Sequence, residues 1–144
     1  MIKIRNMEEF DIAEVADISL ECFGKRDVED IEKCFNNPIY TYLVADNDGV
    51  VVGYSVFMDS GDDSELISLA VSSLYRHRGV GFALSKEMVN RIKSAGKKNA
   101  FLEVRKSNMV AIALYNKLGF KPINVRKKYY DGIEDAVIMQ YSVV

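Results

Sequence analysis

The segment from Leu66 to Lys93 constrains the fold more than any other. Leu66-Ile67-Ser68-Leu69-Ala70-Val71 is an apolar run of strand length, and Arg76-His77-Arg78-Gly79-Val80-Gly81 is a glycine-containing turn. From Val80 to about Lys93 the apolar residues Val80, Ala83, Leu84, Met88 and Ile92 recur at three- and four-residue spacing, the period of an amphipathic helix. A strand, a short turn and a helix start in that order form an anion site. The first amides of a helix have no intrahelical acceptor, and its dipole is positive at that end. Glycine lets a phosphate approach the backbone, and the flanking arginines add charge. The turn is therefore expected to grip a phosphate-bearing ligand.

The rest of the chain supplies a sheet for this unit to sit on. Ile2–Arg5 reads as a short strand and Asp11 to Phe23 as a helix with Ile12, Val15, Ile18 and Cys22 on one face. Asp27 to Phe35 forms a second helix, stopped by Asn36-Asn37-Pro38. Tyr40–Ala45 and Val50–Met58 are strands joined at Asp48-Gly49, a hairpin signal. Glu65–Val71 precedes the anion turn. Phe101–Arg105 follows the central helix, which Gly96 ends. Asn108 caps a helix to about Leu118, closed by Gly119. Phe120–Val125 and Asp135–Ser142 are a final antiparallel pair around a tyrosine-rich loop. The order β-α-α-β-β-β-α-β-α-β-β predicts an α/β chain, a mixed sheet with helices on both faces.

Composition limits the function. The 144 residues suit a single domain, 1–144, with a core of its own. The formal charge of −2 argues against broad nucleic-acid binding. Cys22 and Cys34 lack CxxC spacing and a histidine cluster, so they are expected to be reduced thiols, with no metal. No run reaches the length of a membrane span. Met1-Ile2-Lys3-Ile4-Arg5 is too short and too charged for a signal peptide, so a cytoplasmic location is expected.

The glycine turn fails two familiar tests. A dinucleotide fingerprint needs a third glycine where this chain has Leu84, and a P-loop needs Gly-Lys-Ser/Thr. Downstream, Glu103 lies on the strand face opposite Leu102 and Val104. A carboxylate between apolar neighbours must face solvent, a partner or a site. Tyr115 sits in the next helix, where a tyrosine ordinarily packs at the core boundary.

Together these pieces resemble a known family. Arg76-x-x-Gly79-x-Gly81 resembles the R/Q-x-x-G-x-G/A acetyl-CoA motif of the GNAT N-acetyltransferases. Leu102-Glu103-Val104-Arg105-x-Ser107-Asn108-x-x-Ala111-x-x-Leu114-Tyr115-x-x-Leu118-Gly119-Phe120 resembles the distal half of that family, in wording nearest the RimI-like branch, which acetylates protein N-termini. Arg126-x-x-Tyr129-Tyr130, then Glu134-Asp135-Ala136 and Met139, continues the match. The resemblance runs from Leu66 to Met139 and implies the GNAT fold, a central, mostly antiparallel sheet. It implies acetyl-CoA as donor, with the backbone of Leu69, Ala70 and Val71 along the pantetheine arm. Arg76, His77, Arg78, Gly79, Val80, Gly81 and Phe82 would hold the pyrophosphate, and Asn108 would touch the cofactor as well as cap its helix. Glu103 is implied as general base and Tyr115 as general acid. Phe23, Phe35, Tyr129 and Tyr130 would border the acceptor. The chain departs from the branch in lacking Trp, with Cys22-Phe23-Gly24-Lys25-Arg26-Asp27 where an aromatic segment is common.

The implied reaction moves acetyl to a primary amine, first of all the α-amine of a protein N-terminus. A small amine such as a polyamine, amino acid or antibiotic is the alternative acceptor, and a non-catalytic CoA-binding module the alternative class. A monomer or homodimer is expected, without nucleic-acid or membrane partners. The basic run Arg126-Lys127-Lys128 and the acidic cluster Asp59, Asp62, Asp63 and Glu65 read as solvated surface.

Overall fold

The computed structural model describes residues 1–143. These form strands β1 (Ile2–Asn6), β2 (Tyr40–Asn47), β3 (Val50–Ser60), β4 (Asp63–Val71), β5 (Asn99–Arg105), β6 (Lys121–Tyr130) and β7 (Glu134–Ser142). The helices are α1 (Ile12–Phe23), α2 (Val28–Phe35), α3 (Val80–Ser94) and α4 (Met109–Leu118). Local chemistry sets most boundaries. Gly24 ends α1 at φ 80, Asp27 caps α2 by accepting from Asp30 N–H, and Gly119 ends α4 at φ 107. Asp48 and Gly49 take φ of 51 and 97, the left-handed pair that a two-residue hairpin between β2 and β3 requires.

The strands form one sheet in the order β1-β2-β3-β4-β5-β7-β6. Every neighbouring pair is antiparallel except β4 and β5. That parallel pair is short, with Asp63↔Asn99, Ser64↔Ala100 and Glu65↔Phe101, after which the two strands part. From Leu66 on, β4 presents an unpaired edge toward β5. The acidic turn at this junction is paired: Lys97 meets Asp59, and Lys98 meets Asp62.

Each face of the sheet carries two helices. On one, α1 and α2 cover Tyr42, Val44, Tyr54, Val56 and Ala70 through Ile12, Val15, Ala16 and Ile31. On the other, Leu84, Met88 and Ile92 of α3 are fully buried against Leu43, Val52, Ala100 and Leu102, and the same cluster takes in Tyr115 and Phe120 beside α4. Each such side chain contributes roughly 1.5–3 kcal/mol of burial. α3 packs tightly on the sheet at Gly53, where a Cβ would lie 3.0 Å from Ala70 O, 3.2 Å from Val80 Cγ1 and 3.3 Å from Leu84 Cδ1.

One boundary differs from expectation. Tyr129 and Tyr130 end β6 rather than occupying a loop, and the turn is Asp131–Ile133. The basic run is strand, its ladder interrupted where the register shifts between Arg126 and Tyr130 and Lys128 takes φ 51. β6 is an edge strand with both faces exposed over most of its length, so it carries no two-residue alternation for the sequence to display.

Candidate active site

The parting of β4 and β5 opens a cleft of about 520 Å³. Its first wall is the free edge of β4. Ser72 N–H bonds Val52 O and Ala70 lies opposite Tyr54, so strand alternation directs the amides and carbonyls of Leu69 and Val71 into the gap and those of Ala70 toward β3. Ala70 therefore lines the cleft without offering it a backbone ladder.

At the end of β4 the chain turns through Ser73–Tyr75 into the glycine turn. Ser73 N–H donates to Glu21 of α1 at 2.6 Å. Arg76 folds back, its Nε donating to Val71 O at 3.1 Å and one terminal nitrogen lying 3.4 Å from Cys22 Sγ. His77 takes φ 61 and Gly79 φ 80, so the backbone winds through two left-handed residues before α3 begins. That coiling places the amides of Val80, Gly81 and Phe82 ahead of the first bond of α3, from Ala83 N–H to Gly79 O. Asn108 stands across the gap, capping α4 by accepting from Ala111 N–H at 3.1 Å.

Of the residues singled out for the donor, all but Arg78 line this cleft. Arg78 instead lies over the Tyr75 ring, 5.3 Å from its centroid. Spacing alone did not assign Cys22, Tyr75, Val110, Ala111 and Leu114, which complete the lining. Cys22 comes from a helix far off in sequence, and no local pattern points from it to the turn. Val110 and Leu114 were visible as neighbours of Asn108 on α4.

Glu103 and Tyr115 lie beyond the walls of the cleft, in a second group of side chains. Glu103 projects from the face of β5 opposite the buried Leu102 and Val104. Its Oε1 is 3.4 Å from Arg126 Nε, and the Tyr129 hydroxyl donates to the same carboxylate, which raises the Tyr129 pKa. The Tyr129 and Tyr130 rings meet edge to face at 5.1 Å. Arg105 lies 4.4 Å from the Tyr130 centroid and bonds Glu134 and Asp131. Burial, joined by the charge of Glu103, pushes the Tyr130 phenol up. Tyr115 is buried against Phe120, and burial, with Tyr130 nearby, pushes its pKa well above the ordinary tyrosine value. It is therefore a fully protonated phenol at neutral pH. Tyr130 thus lies near both Glu103 and Tyr115. Phe23 ends α1 with its ring more than half exposed. Phe35 is not brought to this group and lines a separate recess with Asn6, Met7, Tyr40 and Arg91, because α2 packs on the β2 side of the sheet.

The profile of the acetyltransferase (GNAT) family matches residues 7–120. The chain belongs to the GNAT acetyltransferase family. It is similar to a Bacillus subtilis protein provisionally named [ribosomal protein bS18]-alanine N-acetyltransferase, with 34% identity over 97% of this chain and 95% of that one. An N-alpha-acetyltransferase of Sulfurisphaera tokodaii is 38% identical over 68% of this chain and 66% of its own length. Among solved structures, the Escherichia coli ribosomal-protein-S18-alanine N-acetyltransferase superposes with a TM-score of 0.90 at 28% identity, covering 99% of this chain and 94% of that one. The protein is an acetyltransferase with the GNAT fold. No helix among the described residues is long and apolar enough to cross a membrane.

Proposed function

We propose that the protein transfers acetyl from acetyl-CoA to the α-amine of a protein N-terminus. The observation that carries this reading is the gap between β4 and β5, with an anion turn at one end and the Glu103 group beyond it. The chain's residues fit the donor. Leu69 and Val71 offer a strand edge to the pantetheine amides, and the turn offers glycine, cations and helix-end amides to the pyrophosphate. Val71 O is already engaged by Arg76, so Val71 N–H is the group left to bond the thioester oxygen as negative charge develops there.

An ammonium cannot attack a thioester, so the acceptor must lose a proton. Glu103, directly or through one water, takes it. With unperturbed pKa values of about 7.7–8.0 for an α-amine and 10.4 for lysine, deprotonation at pH 7 costs about 1 kcal/mol for the first and nearly 5 for the second. The group around Glu103 is open, with Arg126 and Tyr129 about half exposed, which suits a chain end. Tyr115, protonated at neutral pH, supplies the proton that the departing CoA thiolate needs.

Release of CoA thiol distinguishes acceptors. A peptide with a free α-amine should support it, and the same peptide acetylated at its N-terminus, carrying an internal lysine, should not. Release with spermidine or an aminoglycoside alone overturns the reading. Glu103→Gln should lower kcat/KM about a hundredfold, and Tyr115→Phe should lower kcat by a similar factor while leaving the acetyl-CoA KM near wild type.

A further inference from the structure

A basic side chain stands where the acceptor's ammonium has to arrive. Glu103 is largely covered, with a side-chain exposure of 19%, while Arg126, 3.4 Å away, is 55% exposed. Arg126 also lies over the Tyr129 ring at 5.3 Å, and Tyr129 donates to the same carboxylate. The neighbours in the basic run are placed differently. Lys127 pairs with Asp135 at 3.6 Å, and the bulge at Lys128 is fixed by its N–H donating to Asp135 at 2.8 Å. The register shift between Pro122 and Asn124 sets Arg126 opposite Ala136, on the sheet face that Glu103 shares, and of the three basic residues Arg126 is the one paired with Glu103. The other charged groups of this neighbourhood are Glu65 of β4, Arg105 of β5, and Asp131 and Glu134 at the β6–β7 turn, with the phenols of Tyr115, Tyr129 and Tyr130. Arg105 is engaged by Glu134 and Asp131, so the cation paired with Glu103 is Arg126.

We propose that Arg126 occupies the acceptor-ammonium subsite at Glu103 in the free enzyme, as an internal competitor that the incoming amine displaces. The inference rests on the reading of Glu103 as the acceptor's base. Two cations cannot share one oxygen without repulsion, and a carboxylate already bonded by a phenol has few directions left for an approaching amine. Displacement is nevertheless easy, because an ion pair half open to solvent contributes little. Arg126 therefore holds the subsite while it is empty and yields when the substrate brings a charge of its own.

The test separates KM from kcat. In Arg126→Met, which keeps the stem over Tyr129 and removes the charge, the acceptor KM should fall about three- to fivefold. The acetyl-CoA KM should stay unchanged. The kcat should stay near wild type, because the complex that reacts already lacks the guanidinium at Glu103. Arg126→Lys should resemble wild type. An acceptor KM that is unchanged or raised in Arg126→Met overturns the proposal, as does an acetyl-CoA KM that falls in parallel with it. Nitrogen-15 NMR of the Arg126 Nε–H follows the ion pair without turnover. Saturating α-amine peptide should move this resonance toward its position in Glu103→Gln, and a resonance that the peptide leaves unmoved also overturns the proposal. If wild type turns over no α-amine peptide, the functional reading fails, and the change that Glu103→Gln alone makes in the free protein still decides whether Arg126 sits on Glu103.

Discussion

Gly53→Ala tests how the sheet positions the anion turn. The added methyl would meet Ala70 O at 3.0 Å, Val80 Cγ1 at 3.2 Å and Leu84 Cδ1 at 3.3 Å. The carbonyl belongs to β4 and cannot move without disturbing the β3–β4 ladder, so the strain falls on the first two turns of α3. Overpacking of this kind costs about 1–3 kcal/mol, offset by about 0.5–1 kcal/mol because alanine loses less backbone freedom than glycine on folding. The net loss is about 1–2 kcal/mol. At about 2.1 cal/mol/K per residue, the 144-residue chain unfolds with an entropy of roughly 0.3 kcal/mol/K, so each kcal/mol moves Tm by about 3 °C. Scanning calorimetry should show Gly53→Ala melting about 3–7 °C below wild type. Because Val80 shifts with the helix start, the acetyl-CoA KM, read by thiol release, should rise. Gly81→Ala is the internal control. Its methyl would find Val71, Leu114 and Leu69 at 3.8–4.0 Å, an ordinary contact, and alanine is about 1 kcal/mol the better helix former. It should melt about 2–3 °C above wild type. A Gly53→Ala protein that melts no lower than wild type, with an unaltered acetyl-CoA KM, would refute the claim that this contact seats α3.

Other measurements probe the same framework. Asn108→Ala removes the cap on α4 and should cost about 1 kcal/mol, or about 3 °C in Tm. Asn108→Ser should restore Tm, while an acetyl-CoA KM that stays raised in it would locate the amide on the donor, and a KM equal to wild type in both variants would confine Asn108 to capping. Burial raises the pKa of Tyr42, Tyr54 and Tyr115, so the folded chain retains protons that the unfolded chain releases above about pH 10. Their contribution is whole below that pH and is lost as pH rises further, so urea midpoints should fall between pH 9 and 11; a flat profile would mean that these phenols open to solvent before they ionise.

The order of elements and most of their ends were legible because each is written locally. The left-handed glycines at 24 and 119 and the Asp48-Gly49 turn are examples, as is the buried stripe of Leu84, Met88 and Ile92. β6 was legible only in its first half, since an edge strand exposed on both faces has no buried side to leave a pattern. In the site, the turn and Asn108 stood out because motif spacing follows backbone geometry. Cys22 and Tyr75 did not, since α1 meets the end of β4 through packing that couples residues some 50 positions apart, as in the bond from Ser73 to Glu21. Phe35 misled for the same reason: its neighbourhood depends on which face of the sheet α2 covers, and periodicity within α2 does not encode that. The pairing of Arg126 with Glu103 depends on a bulge that the sequence does not announce.

The three-residue junction of β4 and β5 has a consequence for the order of events. It is the whole of the ladder joining the first four strands to the last three, so the sheet is assembled as two leaves on a short seam. Under the proposed function a donor lying along Leu69 and Val71 would serve as the missing strand, and its departure would undo that join. The leaf that carries Glu103, Arg126 and the tyrosine pair is tied to the other through the core under α3, and a donor strand would add a second seam on the ligand side. Such an architecture favours ordered kinetics, with the acyl donor entering first and its spent carrier leaving last.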